Sequence, residues 1–209
     1  AFTPSTTREE FCARVGLDAA RPILLYLCSS PFITPYEVGF VRTWMAAIRS
    51  ASTPEPLRSA GLLVRPHPQN AEQWRDVDLS EFGNVAIFPR AGANPVDRDA
   101  RAEYFDSMHH AVAVVGVNTS AQIESGIVGR PVCAVQVEEF AGTQEGTLHF
   151  QHLKNVNGGL LHVAPTLDVH LGQLAAILAD PQGYAARSRA FIEAFVRPHR
   201  SEEHTSELQ

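Results

Sequence analysis

Two short segments carry residue types able to hold a phosphorylated ligand. In Leu62-Leu63-Val64-Arg65-Pro66-His67-Pro68, a guanidinium and an imidazole close an apolar run. Arginine can grip phosphate oxygens with a bidentate fork. His67 can donate a hydrogen bond to a departing phosphate, or protonate it. Pro66 and Pro68 also serve to end a strand, so the same residues read as a structural turn as well. The second segment runs from Val115 to Val132 as strand, glycine turn, helix, Gly129-Arg130-Pro131 and strand. Asn118 or Thr119 is the natural N-cap of that helix. The N–H groups of Ser120 and Ala121 then point out of the sheet end, where a helix start can receive a phosphate or pyrophosphate. Glu124 follows about one turn later and can accept two hydrogen bonds from ribose hydroxyls. An ordinary helix start with an exposed glutamate is the alternative.

The remaining polar residues are weaker candidates. Ser29 and Ser30 close the first apolar run. Thr34 and Glu37 read as capping residues. The stretches Glu138-Glu139 and Gly142 to Thr147 form a polar loop at the same edge. His149 and His152 share a helix face but have no third ligand nearby, so no zinc site is expected. His109-His110 fall at the amino end of a strand and read as structural. Arg90 can approach the cleft, and Asn94-Pro95 read as loop. Neither a Gly-x-Gly-x-x-Gly run, a Gly-Lys-Thr phosphate loop nor a Gly-x-Ser-x-Gly elbow occurs in the sequence.

These residues sit on alternating apolar runs and amphipathic stretches. Strands are expected at 22–28, 61–65, 84–88, 111–116, 131–135 and 160–163, because each is a short apolar run bounded by turn residues. Helices are expected at 36–51, 97–108, 119–128, 167–178 and 183–196, with shorter turns at 69–75 and 148–153. Residues 1–20 are read as running straight into the first strand. Six strands separated by helices predict an α/β fold, a doubly wound parallel sheet with right-handed crossovers. Its ligands belong at the carboxyl ends of the strands, where the order switches.

Composition narrows the rest. The chain has 209 residues, 44% of them hydrophobic and 19% charged, with a formal net charge of -6. That is globular composition. Without a Lys/Arg run, nucleic acid is not an expected partner. Cys12, Cys28 and Cys133 are odd in number and lack metal-type spacing, so a cytoplasmic protein without a disulfide framework is expected.

The second segment resembles the donor-nucleotide motif of GT-B glycosyltransferases and of the non-hydrolysing UDP-sugar epimerases. In those families a small-residue turn binds the diphosphate, and a Glu five residues before the Gly of Gly-x-Pro holds the ribose. The resemblance gives Asn118, Thr119 and Ser120 the phosphate turn and Glu124 the ribose. The epimerases usually carry two Gly and two adjacent Glu where this chain has Thr119-Ser120 and Ile123-Glu124. The Arg65-Pro66-His67-Pro68 segment resembles the His-Pro motif of bacterial sialyltransferases, Kdo transferases of capsule synthesis and CDP-glycerol-type polymerases. There the histidine faces the donor phosphate, so His67 is the expected catalytic residue and Arg65 a phosphate ligand. Ser29 and Ser30 occupy a loop that approaches the donor phosphate in such folds.

The resemblance covers roughly residues 20–198 and implies a Rossmann-like, C-terminal donor domain over 1–199, truncated at both ends. Its implied donor is a CMP-, CDP- or UDP-linked sugar, its acceptor a glycan or lipid-linked surface polysaccharide. It implies no metal and no cofactor beyond the donor. A missing N-terminal domain would supply the catalytic base, and the full-length enzyme could associate peripherally with the inner face of the membrane. A UDP-sugar epimerase and a non-catalytic nucleotide- or sugar-binding module of the same fold are the alternatives. Residues 200–209, RSEEHTSELQ, resemble the translation of a sequencing adapter and are read as a foreign tail.

Overall fold

Residues 3–196 are described by the structure, a computed structural model; the tail at 200–209 lies outside them. Six parallel strands form one sheet: β1 (Ile23–Leu27), β2 (Gly61–Arg65), β3 (Val85–Ile87), β4 (Ala113–Val115), β5 (Val132–Val135) and β6 (Leu161–Ala164). Their spatial order is β3-β2-β1-β4-β5-β6. The chain builds outward from β1 to β3, returns to the centre at β4, and builds outward the other way. The switch therefore lies between β1 and β4, where Leu24, Leu25 and Tyr26 pair with Ala113, Val114 and Val115.

Both faces of the sheet are covered, which is why the strands are continuous apolar runs. On one face Leu24, Tyr26, Leu62, Val64 and Val115 pack against Trp44, Met45, Leu174 and Ile177. Those partners belong to α2 (Val38–Arg49) and α6 (Leu167–Ala179). On the other face Ile23, Leu25, Leu27, Leu63 and Val114 pack with Phe11 and Met108. These come from α1 (Arg8–Val15) and α3 (Arg98–His109). The outer strands β5 and β6 place Val132, Ala134 and Leu161 with Phe150, Leu153 and Phe191. Those three belong to α5 (Leu148–Asn155) and α7 (Pro181–Phe191), while α4 (Ala121–Ile127) lies between β4 and β5 in the chain.

Helix α1 corrects the expectation that residues 1–20 lead straight into β1. Its start is a capping box: the Thr7 hydroxyl accepts from the Glu10 N–H, and Glu10 accepts from the Thr7 N–H. The stretch expected as a turn of helix at 69–75 is a 3₁₀ segment, Pro68–Trp74, capped by His67. After α7 the backbone continues as a π turn, Ile192–Val196.

Candidate functional site

A cavity of about 180 Å³ opens at the carboxyl edge beside the switch point. Four chain segments build it: Leu27-Cys28 at the end of β1, Arg65 to Pro68 at and just after the end of β2, Ala93 to Pro95 from the loop after β3, and Thr119 to Ala121 with Glu124 at the start of α4. Tyr104 of α3 joins them. Two glycines shape this corner. A Cβ on Gly116 would lie 2.9 Å from the Leu27 carbonyl oxygen, so only glycine lets β4 turn this close to β1. Gly129 has φ +82°, the left-handed turn that ends α4 ahead of Pro131.

Arg65 is 4% exposed. Its Nη1 donates to Ser107 Oγ at 3.0 Å and lies 3.6 Å from Glu103 Oε1. Its guanidinium stands 4.9 Å from the Tyr104 ring centroid. Burial lowers its pKa and Glu103 opposes the shift; an arginine stays charged regardless. With Nη1 engaged, the two-pronged grip expected from sequence is not available through both terminal nitrogens. Nη2 is buried with no hydrogen-bond partner among the described residues. A buried guanidinium nitrogen left unpaired is costly unless a ligand uses it.

His67 is half-buried, and burial lowers its pKa from the usual histidine value. Its Nδ1 accepts from the Gln69 N–H at 3.2 Å. A neutral ring accepting at Nδ1 carries its proton on Nε2, so the side chain is a hydrogen-bond donor at Nε2. Its backbone N–H meets the Cys28 thiol, whose pKa burial and then Glu37 raise well above the usual value. Cys28 is thus an unreactive wall of the cavity.

Helix α4 begins differently from expectation. Its N-cap is Ser120, in helical conformation, and no side chain caps the first turn. The Thr119 N–H points to Gln122 Oε1 at 3.3 Å. Glu124 is exposed and accepts a hydrogen bond from the Tyr104 hydroxyl. Burial, and next the contact with Glu124, raise the Tyr104 pKa.

Ser29, Ser30 and Asn118 stand at the same edge without lining the cavity. Ser29 is fully buried; its N–H donates to Glu37 Oε2 at 2.9 Å, and its hydroxyl accepts from the Asn118 N–H at 3.3 Å. Ser30 is half-buried, and its carbonyl closes the following turn by accepting from the Ile33 N–H. Asn118 is 3% exposed. Its amide donates to the Thr143 carbonyl and to Thr147 Oγ1, both at 3.0 Å, so its Oδ1 faces His149 Nδ1 at 2.8 Å. That pairing puts the His149 proton on Nδ1. Its Nε2 is buried without a partner among the described residues. His149 is therefore an oriented side chain rather than a surface one. His109 and His110 end α3 at the amino edge, as expected.

Other expectations change. Glu37 makes no capping hydrogen bond. Instead it is fully buried, with Tyr26 donating to Oε1 at 2.9 Å. Arg90 turns away from the cleft, donating to the Trp74 and Val77 carbonyls at 2.8 and 2.9 Å. Asn94 and Pro95, read as plain loop, line the cavity. In the polar loop after β5, Gln144 is fully buried and bonds the Val117 and Val135 carbonyls at 3.0 and 2.7 Å, locking the loop to the ends of β4 and β5. Among the described residues no group of three or more His, Cys, Asp or Glu is placed to hold a metal ion, and no helix is long and apolar enough to cross a membrane.

A parallel sheet in this strand order, with a cavity at its switch point, defines a Rossmann-like α/β fold that is shared with GT-B glycosyltransferases. The solved structures it resembles include the wall teichoic acid polymerase TagF, at 14% identity and TM-score 0.58 over 96% of this chain and 45% of that one. WaaG, a glycosyltransferase involved in lipopolysaccharide biosynthesis, matches at 18% identity and TM-score 0.55, over 99% of this chain and 52% of that one. The C-terminal domain of the glycosyl transferase group 1 family protein LpcC from Francisella tularensis matches at 11% identity and TM-score 0.51, over 93% of this chain and 95% of that domain. The chain spans about half the length of TagF and WaaG. No protein-family model and no curated protein matches its sequence.

Proposed function

We propose that this chain is the donor-binding, C-terminal half of a GT-B glycosyltransferase. It binds a nucleotide-activated sugar for transfer to a glycan or lipid-linked acceptor. One observation carries this reading: Arg65, His67, Thr119, Ser120 and Glu124 come from two separate strand ends and meet on one cavity at the switch point. Thr119 and Ser120 at the open start of α4 receive the donor's phosphate or diphosphate, Arg65 Nη2 reaches a phosphate oxygen, and Glu124 accepts from the ribose. As the acceptor hydroxyl oxygen bonds to the anomeric carbon and gives its proton to the base, the anomeric C–O bond to phosphate breaks, and His67 Nε2–H donates to the leaving phosphate, stabilising its developing negative charge. The catalytic base and the acceptor site belong to a second domain of the same protein. At about 180 Å³ the cavity is smaller than the ~300 Å³ of ordinary small-molecule sites, so it encloses the sugar-phosphate part of a nucleotide and leaves the rest at the open edge. The resemblance of Arg65-Pro66-His67-Pro68 to enzymes of surface-polymer synthesis favours CMP- or CDP-linked donors over UDP-linked ones. Neighbours named for wall teichoic acid and lipopolysaccharide support that acceptor class.

Calorimetric titration of the full chain with CMP, CDP, UDP, GDP and NAD tests this. Saturable binding of a pyrimidine nucleotide is expected, weakened roughly tenfold by Glu124→Ala and several-fold by His67→Ala, the range for hydrogen bonds to charged groups. A folded protein that binds none of the five would overturn the reading.

A further inference from the structure

Tyr104 was not legible as a site residue, yet it touches both charged groups of the cavity. It projects from the twelve-residue helix α3, which is fixed to the sheet through buried Met108. Its hydroxyl donates to Glu124 Oε2. Its ring lies against the Arg65 guanidinium, 4.9 Å from centroid to Cζ. Glu124 by contrast is exposed on the seven-residue α4. An unrestrained glutamate there would sample several rotamers and lose that freedom on binding. The Tyr104 contact leaves Glu124 Oε1 for a ligand. On the other side, Ser107 and Glu103 engage Arg65 Nη1, while Nη2 stays buried and unpartnered among the described residues.

We propose that Tyr104 is a positioning residue that holds Glu124 and Arg65 at a fixed separation, so that the cavity selects ribonucleotides over 2′-deoxyribonucleotides. The inference rests on the nucleotide-binding reading of this cavity. In a ribonucleotide the ring hydroxyls and the 5′-phosphate are joined through the short C4′–C5′–O5′ link, so their separation is confined to a narrow range. A carboxylate oxygen and a guanidinium nitrogen tied to one aromatic ring match such a ligand. A lone surface glutamate would discriminate poorly, because solvent and rotamer freedom weaken its hydrogen bonds.

The test measures affinities of the full chain for CMP, CDP and UDP, their 2′-deoxy counterparts, and inorganic pyrophosphate. The parent protein is expected to prefer the ribo form by roughly tenfold. Tyr104→Phe keeps the ring against Arg65 and removes the hydroxyl. It is expected to shrink that preference to about twofold while pyrophosphate affinity stays the same. Tyr104→Leu removes the ring too and is expected to weaken pyrophosphate several-fold as well. Glu124→Gln should lose the same preference, and the Tyr104→Phe/Glu124→Gln double variant should lose no more than the worse single change. A Tyr104→Phe protein that keeps the tenfold preference, or loses ribo and deoxy binding equally, overturns the proposal. So do additive losses in the double variant. A parent that binds nucleotides with no ribose preference overturns the role of Tyr104 but leaves the site reading standing. A parent that binds no nucleotide overturns both.

Discussion

Glu37 is the residue whose environment departs furthest from its sequence reading. It lies fully buried behind the end of β1, where the Ser29 N–H and the Tyr26 hydroxyl both donate to it. Burial raises its pKa to about 7, against the lowering effect of the Ser29 and Tyr26 hydrogen bonds. The folded state therefore holds a proton that the unfolded chain releases near 4.5. The stability this gives is complete below pH 4.5 and is lost as pH rises through about 7. His170, fully buried and accepting from Trp44 Nε1 at 3.0 Å, works in the opposite sense. Burial lowers its pKa to about 3, so its contribution is present above the unfolded value of 6.5 and is lost as pH falls towards 3. Comparing the parent with Glu37→Gln isolates the first group. Urea unfolding at pH 5 and pH 8 should show the parent losing stability relative to the variant by up to roughly 3 kcal/mol. Parallel pH profiles would show that Glu37 does not titrate in this range. Ser29 also receives the Asn118 N–H, so a chain of hydrogen bonds joins Glu37 to the loop beside the candidate site.

At the scale of elements, the turn between β4 and α4 sets the site. Gly116 lets β4 pass against the Leu27 carbonyl, and the open first turn of α4 then faces the cavity. Gly116→Ala puts a methyl 2.9 Å from that backbone oxygen. It should cost about 1–3 kcal/mol in unfolding experiments and weaken nucleotide binding in parallel. A variant within about 0.5 kcal/mol of the parent would mean that the strand ends adjust freely. The strands were legible because both faces are buried: the apolar run at 61–65 is β2, and that at 131–135 is β5 with Pro131 added in front. Helix α1 was missed although Thr7-x-x-Glu10 is a capping-box signal. The Gly-x-Pro spacing singled out Thr119, Ser120 and Glu124 as candidates, and all three line the cavity. What sequence could not show were partners brought from afar. Thr143, Thr147 and His149 lie 25 to 31 residues from Asn118, and they draw its side chain into the protein. Tyr104 reaches Glu124 across 20 residues, and nothing in the helical pattern of 97–108 marks it.

For the whole molecule, the sheet order fixes where a ligand edge can exist, and charge fixes how strongly it can hold an anion. The side chains lining the cavity include one arginine, one glutamate and one histidine. Arg65 is already matched by Glu103. The cavity therefore has little net positive charge, so under the proposed reading backbone N–H groups and neutral donors carry the recognition of a phosphate. The most direct test is backbone-amide NMR mapping of the full chain during titration with CDP. Shift changes are predicted to concentrate at Arg65, His67, Asn94, Tyr104, Thr119 to Ala121 and Glu124, along the carboxyl edge between β1 and β4. Changes centred on the amino edge around His109, His110 and Arg130, or scattered without a focus, would contradict a nucleotide site at the switch point.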